Sequence, residues 1–238
     1  MSAMLYAGTS GWAYASWKPA FYPAKLPSKK FLEFYATRLN SVEVNYTFRR
    51  YPSEKLLQGW IAATPAGFRF SVKAIQLITH IKRLREAREV TQRFLSSLQL
   101  LTEAGKLGVV LFQLPPFLKA DASLLSDFLA LLPTAVRSTF EFRYESWFTE
   151  ETFALLRQAN AALCLAESEK LVVPDVATAG FVYYRLRKHE YSSAERKQLA
   201  ERIGAQLAQQ RDAFVYFKHE ETPEGALYAE ELMKRAAG

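Results

Sequence analysis

Short runs in which apolar and polar residues alternate recur along the whole chain. In TFEFRYESW, residues 139–147, Phe140 and Phe142 alternate with Glu141 and Arg143. Alternation with a period of two is typical of a β-strand. Eight runs rich in β-branched and aromatic residues predict strands at 4–9, 41–48, 68–74, 107–114, 138–144, 161–166, 181–186 and 213–218.

Helical patterns fill most of the gaps between these runs. Residues suited to cap a helix precede apolar positions at helical spacing at Ser28, Ser53, Asp121, Thr149, Ser192 and Thr222. One long helix is expected from Leu84 to Leu101, with Gly105 placed to end it. After the sixth strand, SEKLVVPDVATAG is a poor helix former, and we expect an irregular connection there.

Strands that alternate with helices predict a parallel sheet. The strand starts lie roughly 20 to 40 residues apart, which fits one strand and one helix per unit. Eight such units predict a TIM barrel, the (β/α)8 fold of the α/β class, as a single domain over residues 1–238. A doubly wound open sheet is the alternative, but no strand is followed by GxGxxG or a Walker P-loop.

A barrel changes where the alternating charges point. Helices cover one face of each strand and the other face lines the lumen, so neither face meets bulk water. Glu141 and Arg143 are then expected to point inward near the carboxyl end of the fifth strand, where barrel enzymes carry their chemistry. The other strands add polar residues at the same mouth: Glu43, Asn45, Lys73, Gln113, Glu167, Arg185 and Lys218.

Two interpretations of this polar cluster are open. Its members bind a ligand, or they form a closed network of ion pairs, because buried charges need partners. Arg143 with Glu43 and Lys73 with Glu141 are examples of such pairs. We expect a ligand site, because apolar layers fill a lumen without the cost of burying so many charges.

The loops after the strands add basic and aromatic residues on the same face. Trp12 and Trp147 follow the first and fifth strands, and His80 follows the third. Further basic positions beyond strand ends are Arg49, Arg50, Arg187, Lys188, His189 and His219. Such a mixture suits phosphate-bearing or single-stranded nucleic-acid ligands.

Composition agrees with an anionic partner and argues against a membrane protein. The chain has 31 Lys and Arg against 24 Asp and Glu, a net charge of +7. No apolar run reaches the ~18 residues of a membrane helix, and MSAMLYAGTSGW does not resemble a signal peptide, so a cytoplasmic location is expected. The lone Cys164 lies in an apolar run and is expected to be an inert core thiol.

Residue types also weigh against several chemistries. Three histidines without HxH or HExxH spacing predict no metal site. Glu43 and Glu141 are tempting as a glycosidase pair, but they lie on well-separated strands and Arg143 favours their ionised forms. Lys73 suits a Schiff base only if its pKa is depressed, and the neighbouring carboxylates are expected to keep it protonated.

Eight motifs occur in order along the chain: GTSGW (8–12), FYP (21–23), SVEVNYTF (41–48), GFRFSVKA (67–74), TH (79–80), KLGVVLFQLPP (106–116), EFRYESWF (141–148) and FVYYRL (181–186). Together they resemble the family called domain of unknown function 72, or YecE-like. The resemblance implies a TIM barrel and supplies no activity. Its motif positions fall on Glu43, Asn45, Lys73, His80, Gln113, Glu141, Arg143 and Arg185.

The chain departs from that family pattern towards more positive charge. Arg187–Lys188 stands where the resemblance implies a His-Gly pair. Lys218–His219 stands where Asn or Asp pairs are common, and Arg49 stands where an aromatic residue is common.

The leading hypothesis is an enzyme that acts on a phosphate-bearing or otherwise anionic substrate at the mouth. Glu141 and Glu43 are its acid/base candidates, and Lys73 is grouped with them as a catalytic candidate and anion clamp. The ligand-binding candidates are Asn45, His80, Gln113, Arg143, Arg185, Trp12 and Trp147. A non-catalytic nucleic-acid-binding barrel and a metal-dependent nuclease-like barrel are the alternatives. The sequence leaves the cofactor and the oligomeric state undetermined.

Overall fold

Eight parallel strands form one sheet that curls into a barrel. The computed structural model describes residues 2–218 and 221–236. The strands are β1 (Leu5–Thr9), β2 (Ser41–Val44), β3 (Arg69–Lys73), β4 (Leu107–Gln113), β5 (Ser138–Glu141), β6 (Ala162–Ala166), β7 (Phe181–Leu186) and β8 (Asp212–Phe217). From β2 to β8 each strand pairs in parallel with the next one along the chain, and β8 pairs with β1. The prediction of a single TIM-barrel domain of the α/β class is confirmed.

Helices surround this barrel and begin largely where the sequence predicts. They are α1 (Phe31–Arg38), α2 (Glu54–Ala62), α3 (Arg88–Ser96), α4 (Gln99–Glu103), α5 (Ala122–Leu129), α6 (Glu150–Gln158), α7 (Ser193–Ala208) and α8 (Glu224–Ala236). Ser53, Asp121 and Thr149 each accept a hydrogen bond from a backbone amide of the first turn. Ser192 forms a capping box with Glu195 before α7. Within the described ranges, no helix has the length and apolar character needed to cross a membrane.

The long helix predicted from Leu84 is instead two shorter helices. Arg83 and Leu84 have positive φ angles and precede α3, so the helix begins later than expected. The chain turns again at Ser97, whose hydroxyl donates to the carbonyl of Phe94 at 2.6 Å. The prediction was wrong because the spacing of apolar residues indicates which residues are buried, and Leu84 is buried without being part of a helix. Residues 167–180, between β6 and β7, contain no helix, as expected.

Inside the barrel, the side chains change from apolar to charged along its axis. Near the amino ends of the strands, Tyr6 stacks on Phe214 with ring centroids 4.7 Å apart. Tyr183 pairs in register with Phe214, and Tyr216 lies two residues further along β8, with its ring centroid 5.3 Å from that of Tyr183. Cys164 is buried in this part of the lumen, and burial raises the pKa of its thiol, which fits an inert core position. The charged residues follow at the carboxyl ends.

The barrel closes between β1 and β2 without a regular ladder. In the described part of the chain, one backbone bridge joins them, between Ser10 and Glu43. The Asn40 side chain adds a second link, since it accepts from the N–H of Ala7 at 2.9 Å and donates to the carbonyl of Leu5 at 2.7 Å. The Asn40 amide therefore forms hydrogen bonds with backbone groups of β1 that would otherwise pair with the backbone of β2.

A buried tyrosine completes this junction. The Tyr35 hydroxyl accepts from the N–H of Thr9 and donates to the carbonyl of Ser41, both at 2.9 Å. The two strands approach so closely that a Cβ on Gly8 would lie 1.9 Å from the Ser41 carbonyl oxygen. We refer to the contacts of Gly8, Tyr35 and Asn40 between β1 and β2 as the seam.

Candidate functional site

A cavity of about 620 Å³ opens at the carboxyl ends of the strands. Seven of its eleven lining residues are cationic: Arg49, Arg50, Lys73, Arg143, Arg185, Arg187 and Lys218. The other four are Asn45, Tyr46, Phe48 and Gln113. Among the described residues, no carboxylate lines this cavity. Its surface therefore favours a negatively charged ligand.

A buried ion network forms the floor of the cavity. Arg185 donates to Glu43 at 2.7 Å and to Glu141 at 2.5 Å, and all three side chains are at most 3% exposed. Arg187 donates to the second oxygen of Glu141 at 2.9 Å. We call these four residues the floor. The ion pairs considered from the sequence were Arg143 with Glu43 and Lys73 with Glu141, but the structure uses Arg185 for both glutamates.

Neutral donors satisfy the other acceptor positions of the two glutamates. Glu43 accepts from the hydroxyl of Ser10 at 2.7 Å and from that of Tyr183 at 2.8 Å. Glu141 accepts from the side-chain amide of Gln113 at 2.9 Å. Ser10 and Tyr183 were not singled out from the sequence. Tyr183 had a signal, because it lies two residues before Arg185 on the same strand and therefore faces the lumen.

The electrostatics of the floor do not suit acid/base chemistry. Burial opposes ionisation of both glutamates, but the charge of Arg185 and the surrounding hydrogen-bond donors together outweigh it and lower the pKa of each. With further help from Arg187 and Gln113, the pKa of Glu141 falls to about 2. A general acid or base works best with a pKa near the operating pH. These two carboxylates therefore fit a role in positioning Arg185 better than the acid/base role expected for them.

The lowered pKa values predict that the floor loses its contribution to stability in acid. Glu141 titrates at about 2 when folded against a reference of 4.5, so its contribution is present above pH 4.5 and is lost as the pH falls towards 2. Glu43 shifts in the same direction. Urea unfolding near pH 7 and near pH 3 measures the free energy of unfolding at each pH. This free energy should fall more between the two pH values for the wild type than for Arg185→Met/Glu43→Gln/Glu141→Gln. Equal losses in the two proteins would contradict this assignment.

Lys73 occupies the cavity without a carboxylate partner in the described residues. Its Nζ donates to the Oε1 of Gln113 at 2.8 Å and lies 4.1 Å from the ring centroid of Phe48. Burial and then Arg185 lower its pKa to about 8, although Glu141 acts in the opposite direction. The expected ion pair between Lys73 and Glu141 is absent because Arg185 and Arg187 engage that carboxylate, and the pKa of Lys73 is lower than usual.

Two strands end earlier than their sequence pattern predicts, and this moves residues at the mouth. β2 ends at Val44, so Tyr46, expected under the helices, is 45% exposed and lines the cavity. β5 ends at Glu141, so Arg143 lies exposed at the rim of the cavity rather than in the lumen. Within the described residues, Arg143 makes no ion pair. Asn45 lines the cavity beside Tyr46.

The two tryptophans expected at the mouth do not line the cavity. Trp147 is fully buried, stacks on Phe142 with centroids 4.6 Å apart, and donates its indole N–H to the carbonyl of Leu118. Trp12 is half-buried and packs edge-on against Trp60 at 5.5 Å. Both rings pack against apolar neighbours, and the expected aromatic rim is supplied instead by Tyr46 and Phe48.

His80 lies behind the cavity wall rather than in it. Its ring packs edge-on against Phe48 at 5.0 Å, and its Nδ1 lies 2.9 Å from the Thr79 hydroxyl. Burial, followed by the charge of Lys73, lowers the pKa of His80, so the ring is neutral near pH 7. It supports the wall through Phe48.

The loop after β7 is held by Glu167, which therefore does not face the cavity as a free carboxylate. It accepts from the backbone N–H groups of Arg187 and Lys188 at 2.6 and 3.1 Å. The Lys188 side chain pairs with Glu195 at the start of α7. Glu167 thus fixes the loop that aims Arg187 at the floor. His219, predicted at the mouth, lies outside the described residues.

Among the described residues, carboxylate, thiol and imidazole groups do not come together as a set of metal ligands. No group of three or more His, Cys, Asp or Glu residues comes together among residues 2–218 and 221–236. The described donor set therefore provides no argument for the metal-dependent nuclease alternative.

Comparison with known proteins places this geometry in a family. The family model described as "Protein of unknown function DUF72" matches residues 6–238. The chain belongs to the DUF72 family. The resemblance inferred from the eight motifs is confirmed. The family's description gives no function, so the cavity has to be interpreted from its own chemistry.

Similar DUF72 proteins agree with the fold. The chain is 30% identical over 168 residues to UPF0759 protein YunF of Bacillus subtilis (strain 168), which covers 65% of this chain and 57% of that protein. It thus spans less than two thirds of that relative's length. A DUF72 protein of Thermotoga maritima MSB8 has 26% identity and a TM-score of 0.85, covering 99% of this chain and 100% of that one. A DUF72 protein of Enterococcus faecalis V583 has 17% identity and a TM-score of 0.77, covering 99% and 98%.

Proposed function

We propose that the cavity is the substrate site of an enzyme that acts on a small phosphate-bearing anion. The observation that carries this proposal is the lining of seven cations without a described carboxylate. The cavity opens at the carboxyl ends of the strands, the face on which TIM-barrel enzymes carry their active sites. Its volume of about 620 Å³ is typical of sites for small molecules.

The charge of the lining exceeds what the floor can balance. Glu43 and Glu141 offset Arg185 and Arg187, with which they are paired. The cations that lie outside this balance are Arg49, Arg50, Lys73 and Arg143. A phosphate monoester carries nearly two negative charges near neutral pH and presents several acceptor oxygens, so it matches such a cluster.

The uncharged lining residues favour a ligand with more than a phosphate group. Asn45 lines the cavity, and its buried Oδ1 has no hydrogen-bond partner in the described structure, so a ligand hydroxyl that reaches it would satisfy an unpaired acceptor. Tyr46 and Phe48 offer ring surfaces to an apolar or planar part of the ligand. A sugar phosphate or nucleotide has both kinds of group.

Arg143 offers a direct test of anion binding. Because it lines the cavity and makes no ion pair within the described residues, Arg143→Gln should leave the fold intact. The loss of a charge-assisted hydrogen bond, about 1.5–3 kcal/mol, should weaken binding of pyrophosphate or ribose 5-phosphate about 10-fold or more in calorimetric titrations. Arg88→Gln is the matched control, since Arg88 is exposed on α3 and lies outside the cavity.

Other outcomes of these titrations would overturn the proposal. Absence of binding by phosphate, pyrophosphate and ribose 5-phosphate would remove it. Equal binding by wild type and Arg143→Gln would place the anion outside this cavity. Binding of only a single-stranded oligonucleotide, with a steep dependence on salt, would replace it by the nucleic-acid-binding alternative.

A further inference from the structure

We propose that Lys73 forms an imine with the carbonyl group of a phosphate-bearing aldehyde or ketone in this cavity. The inference rests on the proposed function and narrows its substrate class. The supporting observations concern the position of the amine, the acceptor it is bound to and the charges around it.

The hydrogen bonding of Lys73 leaves its amine available. Gln113 directs its NH₂ group to Glu141, so its carbonyl oxygen is turned towards Lys73. Because Arg185 engages Glu43 and Glu141, the amine is held by a neutral amide oxygen rather than by a carboxylate. A neutral amine can keep a hydrogen bond to this oxygen and still present its lone pair to the cavity.

The charges around Lys73 act in opposite directions on its ammonium form: Glu141 and Glu43 favour it, whereas Arg185 and Arg187 oppose it. The other titratable and charged groups near the amine are His80, which packs on Phe48, and Arg143 and Lys218 in the cavity lining. The Phe48 ring covers one side of the amine and limits its hydration. Burial and Arg185 bring its pKa to about 8, so about a tenth of the amine is neutral at pH 7 and about half at pH 8. Depressed lysines beside other cations are suited to Schiff-base chemistry.

Lys106 is a buried lysine with a structural role, and its hydrogen bonding differs from that of Lys73. It is 4% exposed and donates to the carbonyls of Ile61, Thr64 and Pro65 and to the Thr64 hydroxyl. Lys106 thus uses all three of its N–H donors, and these hydrogen bonds fix the carboxyl end of α2. Lys73 has one such acceptor and faces an open cavity, so its arrangement suits a reaction with a ligand.

The proposed step balances without an added oxidant or reductant. The lone pair of the neutral amine attacks the carbonyl carbon, and the carbonyl π electrons move to oxygen. Proton transfer from nitrogen to oxygen gives a carbinolamine. The nitrogen lone pair then expels the hydroxyl, which takes one proton from solvent and leaves as water, and the C=N bond forms as the iminium. The rim cations hold the phosphate during these steps.

Pyridoxal 5′-phosphate is a suitable probe because it is both an aldehyde and a phosphate monoester. We expect borohydride reduction of its mixture with the protein to attach one pyridoxyl group to the peptide that carries Lys73. Labelling of Lys73 should rise with pH around a midpoint near 8. Near pH 8, Lys73 should be labelled in preference to the exposed Lys55. Pyrophosphate should protect Lys73, and pyridoxal without phosphate should label it at least 10-fold more slowly.

Lys73→Arg separates this inference from the proposed function. The variant keeps the positive charge and removes the amine, so pyrophosphate should still bind while site-specific labelling disappears. Lys55→Arg is the matched control and should label like the wild type. Pyrophosphate binding without preferential labelling of Lys73 would overturn the imine and leave the anion site standing. Equal labelling by pyridoxal would overturn the link to phosphate, and absence of both binding and labelling would overturn both proposals.

Discussion

Replacing Arg185 with methionine should lower the free energy of unfolding by about 3–5 kcal/mol, because it leaves two buried carboxylates without their shared cation. Glu43 and Glu141 are 0% and 2% exposed and each accepts from Arg185. Glu43 then keeps the hydroxyls of Ser10 and Tyr183 and a long contact from the Asn45 amide, neutral donors that do not neutralise its charge. Desolvation of the unpaired charges sets the size of the effect.

Urea denaturation monitored by circular dichroism measures this change, with two controls. Arg157→Met breaks the exposed pair with Glu150 and should cost at most about 1 kcal/mol. Arg185→Met/Glu43→Gln/Glu141→Gln should recover most of the loss, since it removes the stranded charges together with the arginine. A loss below about 1 kcal/mol for Arg185→Met alone would show that the three charges are not coupled.

Gly8→Ala should destabilise the barrel by about 3 kcal/mol, at or above the upper end of usual overpacking costs. The added Cβ would lie 1.9 Å from the Ser41 carbonyl oxygen and 2.6 Å from the Tyr35 hydroxyl. The carbonyl belongs to the backbone of β2 and accepts a hydrogen bond from Tyr35, so it cannot move away without breaking the seam. Both strands must therefore separate to admit one methyl group.

Gly59→Ala is the matched control for this substitution. Gly59 lies in α2, and a Cβ there meets no heavy atom within 4 Å. It should stabilise the helix by about 0.5–1 kcal/mol, because alanine loses less backbone entropy than glycine. Thermal unfolding of the two variants should shift in opposite directions. A shift of the same small size in both would mean that the seam relaxes freely around the extra methyl group.

Strand alternation was sufficient to predict the barrel and the lumen-facing residues of the floor. In β2, β5 and β7 the period of two places Glu43, Glu141 and Arg185 on the inner face, opposite large apolar residues that pack beneath the helices. This part of the site was accessible because side-chain direction in a strand depends only on local geometry. The same rule assigned Lys73 and Gln113 to the mouth, where both line the cavity.

The pairing of charges was not accessible from the sequence. Glu43 and Arg185 are 142 positions apart, and only closure of the barrel brings them into contact. Strand ends were also missed: the alternation of SVEVNYTF continues past Val44, but the backbone turns there and exposes Tyr46. Trp147 lies after a strand as expected, yet packing against Phe142 buries it. Each miss reflects a tertiary contact that has no local signature.

Because the charges of the floor balance each other, the residues that neutralise the buried glutamates differ from the residues that line the rim. Because Glu43 and Glu141 are neutralised from within, cations at rim positions such as Arg49 and Lys218 are not needed as their counterions. A lineage can therefore replace rim residues and acquire a different ligand while keeping the buried ion network unchanged. Arg49, a position at which this chain is more basic than the YecE-like pattern, lies on this rim.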